Sequence, residues 1–223
     1  MSKRKSRHQQ HKEENRKKML LFGGGVVIVA AILALIALNG GINPAPVVAQ
    51  ERLDLDPVYG NPDAPVTIEE YAAYSCTACR SLHQSGLLER VVDSYNGQVN
   101  LVFRDLPIIT PAYDRRAAQA AQCVLDQGND AFWQYHTALF EQFTFSGASN
   151  DELVSLADDL GLDSTALDTC ISARTHELTV RYDENRGRDL GFRATPTIVI
   201  NGQRIFSPSE DNLRAAINQA LQS

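Results

Sequence analysis

The sequence predicts an α/β domain with a helical block inserted into its sheet, preceded by one N-terminal transmembrane helix. Strand-like segments at residues 66–71 and 99–103 flank one helical segment, as in a β-α-β unit. Some ninety residues of helical pattern then separate this unit from the next strand-like segment, at residues 197–201. Because that block is too long for a loop, we expect a helical insertion at about residues 107–190.

The first 38 residues have the pattern of a cytoplasmic tail followed by a membrane anchor. Residues 1–18 contain eight basic and two acidic side chains, whereas residues 19–38 contain no charged side chain. Twenty residues form a helix about 30 Å long, which matches the thickness of a bilayer core. The basic flank predicts a cytoplasmic N-terminus and an extracytoplasmic remainder. A cleaved signal peptide, cut near residues 47–49, is the alternative, although the apolar stretch is long for one.

The remainder of the chain is acidic. With eight of the 21 basic and two of the 27 acidic residues in the first 38 positions, residues 39–223 have a net charge of −12. Such a domain is a poor nucleic-acid binder. Residues 39–58 contain two glycines and three prolines, which predicts a linker that spans distance and does not recognise a partner. We expect the folded domain to comprise residues 59–223.

The elements of that domain follow from hydrophobic periodicity and its breaks. A helix over residues 77–95 follows the first strand and ends near Gly97. Glycines then divide the helical block. Its expected segments are 112–127, 131–143, 151–160 and 164–189. Two strands joined by an Asn-Gly turn, at 197–201 and 203–206, and a helix over 209–221 complete the domain.

Two cysteines, Cys76 and Cys79, lie where the first strand gives way to the helix. A thiol at a helix N-terminus is near the positive end of the helix dipole and unpaired N–H groups, which favour the thiolate. Cys76 is therefore the candidate nucleophile and Cys79 its resolving partner. Zinc is the alternative, since His83 follows one helical turn later, but no second CxxC or HxxxH motif supplies further ligands. We expect no metal and no cofactor, because sulfur itself carries the oxidation state.

A proline at the mouth of a strand adds to this pattern. Thr195 and Pro196 precede the strand at 197–201, where an X-Pro bond can be cis. With the CxxC motif and the preceding residues 61–68 (NPDAPVTI), the chain resembles the thioredoxin superfamily and, within it, the DsbA-like disulfide oxidoreductases, over about residues 56–222. The resemblance implies a thioredoxin-like fold in which the Thr195–Pro196 loop faces the cysteines and binds extended substrate backbone.

The other two cysteines, Cys123 and Cys170, both lie in the helical block. Because thiols oxidise outside the cytoplasm, four cysteines divide naturally into a reactive pair and a structural disulfide. A bridge would place the two Cα atoms about 4.4–6.8 Å apart. Two buried, reduced cysteines are the alternative. Some DsbA-like relatives have an extra disulfide in this subdomain, so the resemblance points to the bridge.

Glu70 is the other candidate for chemistry. It lies six residues before Cys76 on a strand that we expect to be buried, where the pKa of a carboxyl is raised. Strand alternation lets only one of Glu69 and Glu70 point inward, and the alternative is that both lie on an edge strand and face solvent. DsbA-like enzymes have an acid at this position, so the resemblance selects Glu70 as the group that exchanges a proton with the resolving thiol.

Thr77 and Ala78 stand between the reactive cysteines, where a strongly oxidising relative has Pro-His. Without an imidazole, the helix dipole, the backbone N–H groups and the Thr77 hydroxyl must stabilise the thiolate. Since stabilisation of the reduced form makes a dithiol pair oxidising, we expect a weaker oxidant than that relative.

The sequence therefore predicts a membrane-anchored, extracytoplasmic thiol–disulfide oxidoreductase that donates disulfides to exported proteins. The resemblance also implies a membrane quinone-linked thiol oxidase that recharges the pair. A reductase or isomerase of the same fold is one alternative, and its reduction potential would distinguish it. A non-catalytic thioredoxin-like binding scaffold is the other, and loss of Cys76 would not affect its function.

Overall fold

The computed structural model describes residues 56–142 and 147–222. The predicted tail (1–18), membrane span (19–38) and most of the predicted linker lie outside the described residues. Within the described part of the chain, no helix combines the length and apolar character needed to cross a membrane.

A five-stranded mixed sheet forms the centre of the domain, in the order β1-β3-β2-β4-β5. Its strands are β1 (Val58–Gly60), β2 (Val66–Ala72), β3 (Val99–Asp105), β4 (Thr197–Ile200) and β5 (Gln203–Ile205). β2 and β3 are parallel, and the other neighbouring pairs are antiparallel. The β4–β5 turn has positive φ at Asn201 and Gly202, as a tight two-residue hairpin turn requires.

Eight helices are described. They are α1 (Thr77–Ser85), α2 (Leu87–Asp93), α3 (Pro111–Leu125), α4 (Asn129–Gln142), α5 (Asn150–Asp159), α6 (Ser164–Ala173), α7 (Glu177–Asp189) and α8 (Glu210–Ala220). Two helices predicted as continuous are broken. Gly86, at φ 60°, divides the first into α1 and α2, and Arg174, at φ 54°, ends α6 before α7 begins.

Helices cover both faces of the sheet. On one face, apolar residues of β2 and β3, such as Ile68 and Leu101, pack with residues of α2 and α8, such as Val91 and Leu213. On the other face, α7 lies against Tyr71 and Leu106, so closely that a Cβ added to Gly187 would lie 3.0 Å from Leu106 Cδ1. The central strands are thus buried on both sides.

The helical insertion lies between β3 and β4, as predicted. Aromatic and aliphatic side chains of α3 to α6 form its core, including Phe132, Leu139 and Leu156. The predicted disulfide is present: Cys123 of α3 and Cys170 of α6 are joined, with their Cα atoms 5.9 Å apart. It ties the first helix of the insertion to the fourth.

The short strand β1 was not predicted. Val58 to Gly60 pair antiparallel with residues 100–102 of β3, and Asp56 is buried beside Arg104. The last residues of the predicted linker therefore belong to the folded domain. Three residues are too few to show a periodicity in sequence.

Candidate active site

Cys76 occupies the N-cap position of α1, after the loop that leaves β2. Its backbone is extended (φ −79°, ψ 116°), which aims Sγ at the first turn of the helix, where it accepts a hydrogen bond from the Cys79 N–H at 3.2 Å. Both cysteines are free thiols in this structure. The sulfur of Cys76 thus takes the place of the capping side-chain oxygen found at many helix N-termini.

The surroundings of Cys76 stabilise its thiolate. The hydrogen bond from the Cys79 thiol does most to lower the pKa of Cys76, to about 6, although burial opposes this. The Thr195 side chain and the backbone N–H groups of Cys79 and Ala78 lower it further. Of the two predicted redox-tuning residues, Ala78 thus acts through its N–H, while Thr77 is exposed at the first helical position.

The Cys79 thiol, in contrast, is held in its neutral form. Burial, the Cys76 sulfur and Glu70 together raise the pKa of Cys79 far above its ordinary value. Both cysteines are nearly inaccessible, since Cys76 is only 5 % exposed and Cys79 is fully buried. The asymmetry therefore depends on hydrogen bonds and position in the helix rather than on exposure.

The loop before β4 closes the site on the other side. The Thr195–Pro196 peptide bond is cis, and the Thr195 carbonyl oxygen lies 3.4 Å from Cys76 Sγ. Thr197 supports the loop by donating a hydrogen bond from its hydroxyl to the Ala194 carbonyl at 2.8 Å. The structure thus brings the two predicted segments together, although 119 residues separate Cys76 from Thr195.

Glu70 is buried on the sheet face that carries the core of α2 and α8, beside Phe103 of β3 and Ile198 of β4. Burial, with smaller effects of Glu89 and Cys76, raises the pKa of Glu70 to about 8. Among the described residues, Glu70 Oε1 has no hydrogen-bond partner. Glu70 is thus an acid that keeps its proton at neutral pH near the Cys79 thiol.

Glu69 is also buried, which corrects our expectation that only one of the two carboxylates points inward. The alternation itself is right, because Glu69 lies on the opposite face from Glu70. That face is covered by α7, and Glu69 binds Arg104 Nε at 3.1 Å and Arg186 Nη2 at 2.9 Å. The prediction failed because nothing in the local sequence of β2 shows that a distant helix covers its second face.

His83 does not join the cysteines in a metal-type cluster. Among the described residues, only one group of three or more histidine, cysteine or carboxylate side chains has converging ligand atoms. It consists of Cys123, Cys170 and His176, and its two cysteines form the disulfide. His83 instead stacks on Phe140, with ring centroids 5.2 Å apart, and its Nδ1 lies 3.7 Å from Glu89.

Two buried polar groups that support the loop before Cys76 were missed. Asp114, in the first turn of α3, accepts hydrogen bonds from the Ser75 N–H at 2.9 Å and the Thr110 N–H at 2.7 Å. The Tyr74 hydroxyl lies 3.0 Å from Nδ1 of the buried His136. An acid at a helix start is too common a signal to have identified Asp114.

Comparisons with known proteins agree with this geometry. The family model described as Thioredoxin matches residues 53–219. The chain is 26% identical to disulfide bond formation protein D of Bacillus subtilis over 184 residues, which cover 78% of this chain and 81% of that protein.

Solved structures show the same fold. BdbD from Bacillus subtilis, in its oxidised form, has a TM-score of 0.67 at 24% identity, covering 77% of this chain and 95% of that one. DsbA2 of Pseudomonas aeruginosa has a TM-score of 0.61 at 29% identity, covering 73% of this chain and 92% of that one.

Proposed function

Because the chain belongs to the thioredoxin family and is a DsbA-like thiol:disulfide oxidoreductase, we propose that its Cys76–Cys79 pair donates disulfides to exported proteins outside the cytoplasm. The observation that carries the proposal is the N-cap position of Cys76. Hydrogen bonds to its sulfur lower the thiol pKa to about 6, so the reduced pair carries a thiolate at neutral pH. Stabilisation of the reduced form favours transfer of the disulfide to a substrate.

The first step forms a mixed disulfide. A substrate thiolate attacks Cys76 Sγ of the oxidised pair, a bond forms between the two sulfurs, and the Cys76–Cys79 bond breaks. The electron pair of that bond goes to Cys79, whose thiolate is strongly disfavoured by burial. Glu70, protonated at neutral pH, is the nearby acid that gives Cys79 a proton.

The second step releases the product. The second substrate thiolate attacks the substrate sulfur of the mixed disulfide, so the substrate gains a disulfide and Cys76 leaves as a thiolate. A low pKa makes Cys76 a good leaving group. In total the substrate loses two electrons and two protons. The pair gains both electrons, one proton stays on Cys79, and the other passes to solvent.

The loop at Thr195 and Pro196 is the proposed substrate-binding edge. The Thr195 carbonyl already points at Cys76 Sγ, so a substrate chain that pairs with this loop would have its cysteine beside that sulfur. The backbone groups offer strand-like hydrogen bonds that do not depend on the substrate's side chains, which suits an enzyme with many substrates.

Reoxidation requires an acceptor for two electrons. We propose a membrane quinone-linked thiol oxidase, because the resemblance implies one and because the basic tail and apolar span at residues 1–38 predict an anchor that would hold the domain near it. The pair needs no organic cofactor or metal for either half of the cycle.

Oxidation of a reduced, unfolded protein by the oxidised chain tests this proposal. We expect stoichiometric disulfide formation by the wild type and none by Cys76→Ser. With a substrate that already contains a disulfide, Cys79→Ala should accumulate mixed disulfides on Cys76, because Cys76 attacks that disulfide and the resolving thiol that would release the substrate is absent. The binding scaffold predicts instead that Cys76→Ser behaves like the wild type, a result that would falsify the proposed chemistry.

A reductase or isomerase of the same fold is the second candidate. The observation that favours it is the exposed Thr77–Ala78 pair, which provides no imidazole to the Cys76 thiolate. Such an enzyme would reduce or rearrange substrate disulfides faster than it forms them.

A further inference from the structure

Basic residues of the domain are concentrated in one stretch of its sequence. Between residues 174 and 206, six arginines stand against four acidic residues, whereas the rest of residues 56–222 has six arginines against nineteen acidic residues. Two of the four acids, Asp183 and Glu184, are buried; Glu184 pairs with Arg188, and Arg186 pairs with Glu69 of β2. The other four arginines of this stretch outnumber its other two acids, so the exposed part of α7 and of the β4–β5 hairpin is positive on an otherwise acidic domain. We call it the α7–β5 face, after the elements that carry it.

The same face carries most of the large exposed apolar side chains. Within the described residues, Leu178, Tyr182, Leu190 and Phe206 are exposed, and Phe206 is 74% exposed. Leu178 and Tyr182 are one helical turn apart on α7, so they lie on one side of the helix. The remaining exposed apolar side chain, Ile109, belongs to the loop before α3.

A groove joins these apolar and basic groups. It has a volume of about 610 Å³ and lies between α7 and the hairpin, with Tyr182, Leu190, Phe192 and Arg204 among its lining residues. The Arg204 guanidinium lies over the Phe192 ring at 5.4 Å and over the Phe206 ring at 5.1 Å. Two acids, Glu69 and Asp189, also line the groove, and Glu69 is paired with Arg186.

We propose that the α7–β5 face docks the domain on the surface of an anionic phospholipid bilayer. Guanidinium groups bind phosphate oxygens in a bidentate manner, and every basic residue of the described domain is an arginine. Exposed leucine, tyrosine and phenylalanine next to basic residues are the side chains that insert at the headgroup boundary. An acidic domain would otherwise be repelled by such a membrane, so the local positive charge decides which side of the domain faces the bilayer.

Depth-dependent fluorescence quenching tests this docking with the full chain in nanodiscs. Phe206→Trp places a tryptophan on the face, and Ile109→Trp places one at an exposed apolar position elsewhere. With brominated phosphatidylglycerol in the bilayer, we expect Phe206→Trp to be quenched at least about twofold more than Ile109→Trp or the wild type, whose single Trp133 gives the background. Arg181→Gln combined with Arg204→Gln should remove most of this quenching, while Arg214→Gln should not.

Three outcomes would overturn the proposal. They are equal quenching of the two tryptophan variants, quenching that is as strong in brominated phosphatidylcholine alone, and loss of quenching on addition of free glycerol phosphate, which would mean a site for a soluble anion. A face that binds a protein partner instead would show no quenching in these lipid-only nanodiscs. Unchanged circular dichroism and thiol exchange would establish that each variant is folded, because the substituted side chains are exposed or half-buried and lie outside the proposed catalytic pair.

Discussion

Cys76 and Cys79 lie three residues apart, and both are nearly inaccessible to solvent. The pKa of the Cys76 thiol is nevertheless lowered, whereas the pKa of the Cys79 thiol is raised. The Cys76 sulfur caps α1 and accepts hydrogen bonds, whereas Cys79 lies inside the helix against Glu70. A single helical turn thus separates a stable thiolate from a thiol that holds its proton. This difference is the physical basis for assigning the nucleophile and the resolving thiol.

Alkylation kinetics follow from this asymmetry. In the reduced protein, iodoacetamide should modify Cys76 with a rate that rises through a midpoint near pH 6, because the thiolate is the reactive species. Cys79 should react far more slowly throughout. Mass spectrometry of the modified peptides measures both rates. A Cys76 midpoint near its ordinary pKa would show that the cap does not stabilise the thiolate.

Glu70 should make the reduced protein less stable as pH rises. Burial raises its pKa to about 8 in the folded state. The contribution of the protonated Glu70 carboxyl to the free energy of unfolding is therefore complete below the unfolded pKa of about 4.3 and is lost as pH rises through about 8. Each pH unit in this window changes the free energy of unfolding by up to about 1.4 kcal/mol. Urea unfolding of Glu70→Gln should therefore show a weaker decline with pH than the wild type.

The exposed Asp151 provides the control for that experiment. Asp151→Asn should leave the decline of stability with pH unchanged. Asp105, whose pKa burial raises to about 7, contributes its own decline in both variants, so a residual slope is expected. Identical profiles for Glu70→Gln and wild type would contradict the buried protonated state of Glu70.

Residue positions were predictable where they depend on local chain geometry. A CxxC motif at a strand–helix junction places Cys76 at a cap whatever surrounds it, and a proline before an apolar strand indicates a strand start. Glu69 and His136 were not predictable, because their burial depends on α7 and on the aromatic cluster around Phe103, which are distant in sequence. Asp114 reaches Ser75 across 39 residues, and no spacing rule covers such a contact.

At the scale of elements, the strands were easier to predict than the helices. The sheet and its hairpin follow from strand alternation and the Asn-Gly turn, but one helix of the helical block ends at a residue other than glycine. Arg174 adopts a left-handed conformation between α6 and α7, which the sequence does not reveal since arginine rarely takes it. The change of direction there is what carries α7 onto the second face of the sheet.

The disulfide between α3 and α6 should stabilise the insertion without taking part in exchange. Replacing Cys123 and Cys170 together by alanine should lower the free energy of unfolding by about 2–4 kcal/mol, because the bridge closes a loop of 47 residues in the unfolded chain. Thermal unfolding followed by circular dichroism measures the loss. Oxidation of a reduced substrate by the same variant should stay close to the wild-type rate, and a large fall in that rate would link the bridge to catalysis.

At the scale of the whole molecule, the fold accounts for why the candidate active site is built from segments far apart in the chain. β2 and β4 are antiparallel neighbours, so the end of one and the start of the other lie at the same sheet edge, where Cys76 meets Thr195. The helical insertion between β3 and β4 adds the subdomain that supports this edge. Sheet and insertion were both predictable from pattern, whereas the packing of α7 was not.

Membrane topology is the prediction for the part of the chain outside the described residues. The intact protein should sediment with membranes and resist carbonate extraction, and external protease should cut beyond residue 39, because eight basic residues precede the apolar span. Cell fractionation with protease protection measures this. Recovery of a soluble form that begins at residue 50 would instead establish a cleaved signal peptide.

The equilibrium reduction potential of the Cys76–Cys79 pair, measured against glutathione, tests the donor function most directly. We expect a value above that of thioredoxin, about −270 mV, because the Cys76 thiolate is stabilised, and below the value of about −120 mV of the Pro-His relative, because no imidazole lies between the cysteines. A potential at or below that of thioredoxin would rule out the donor function, since such a pair would reduce the disulfides that it is proposed to form.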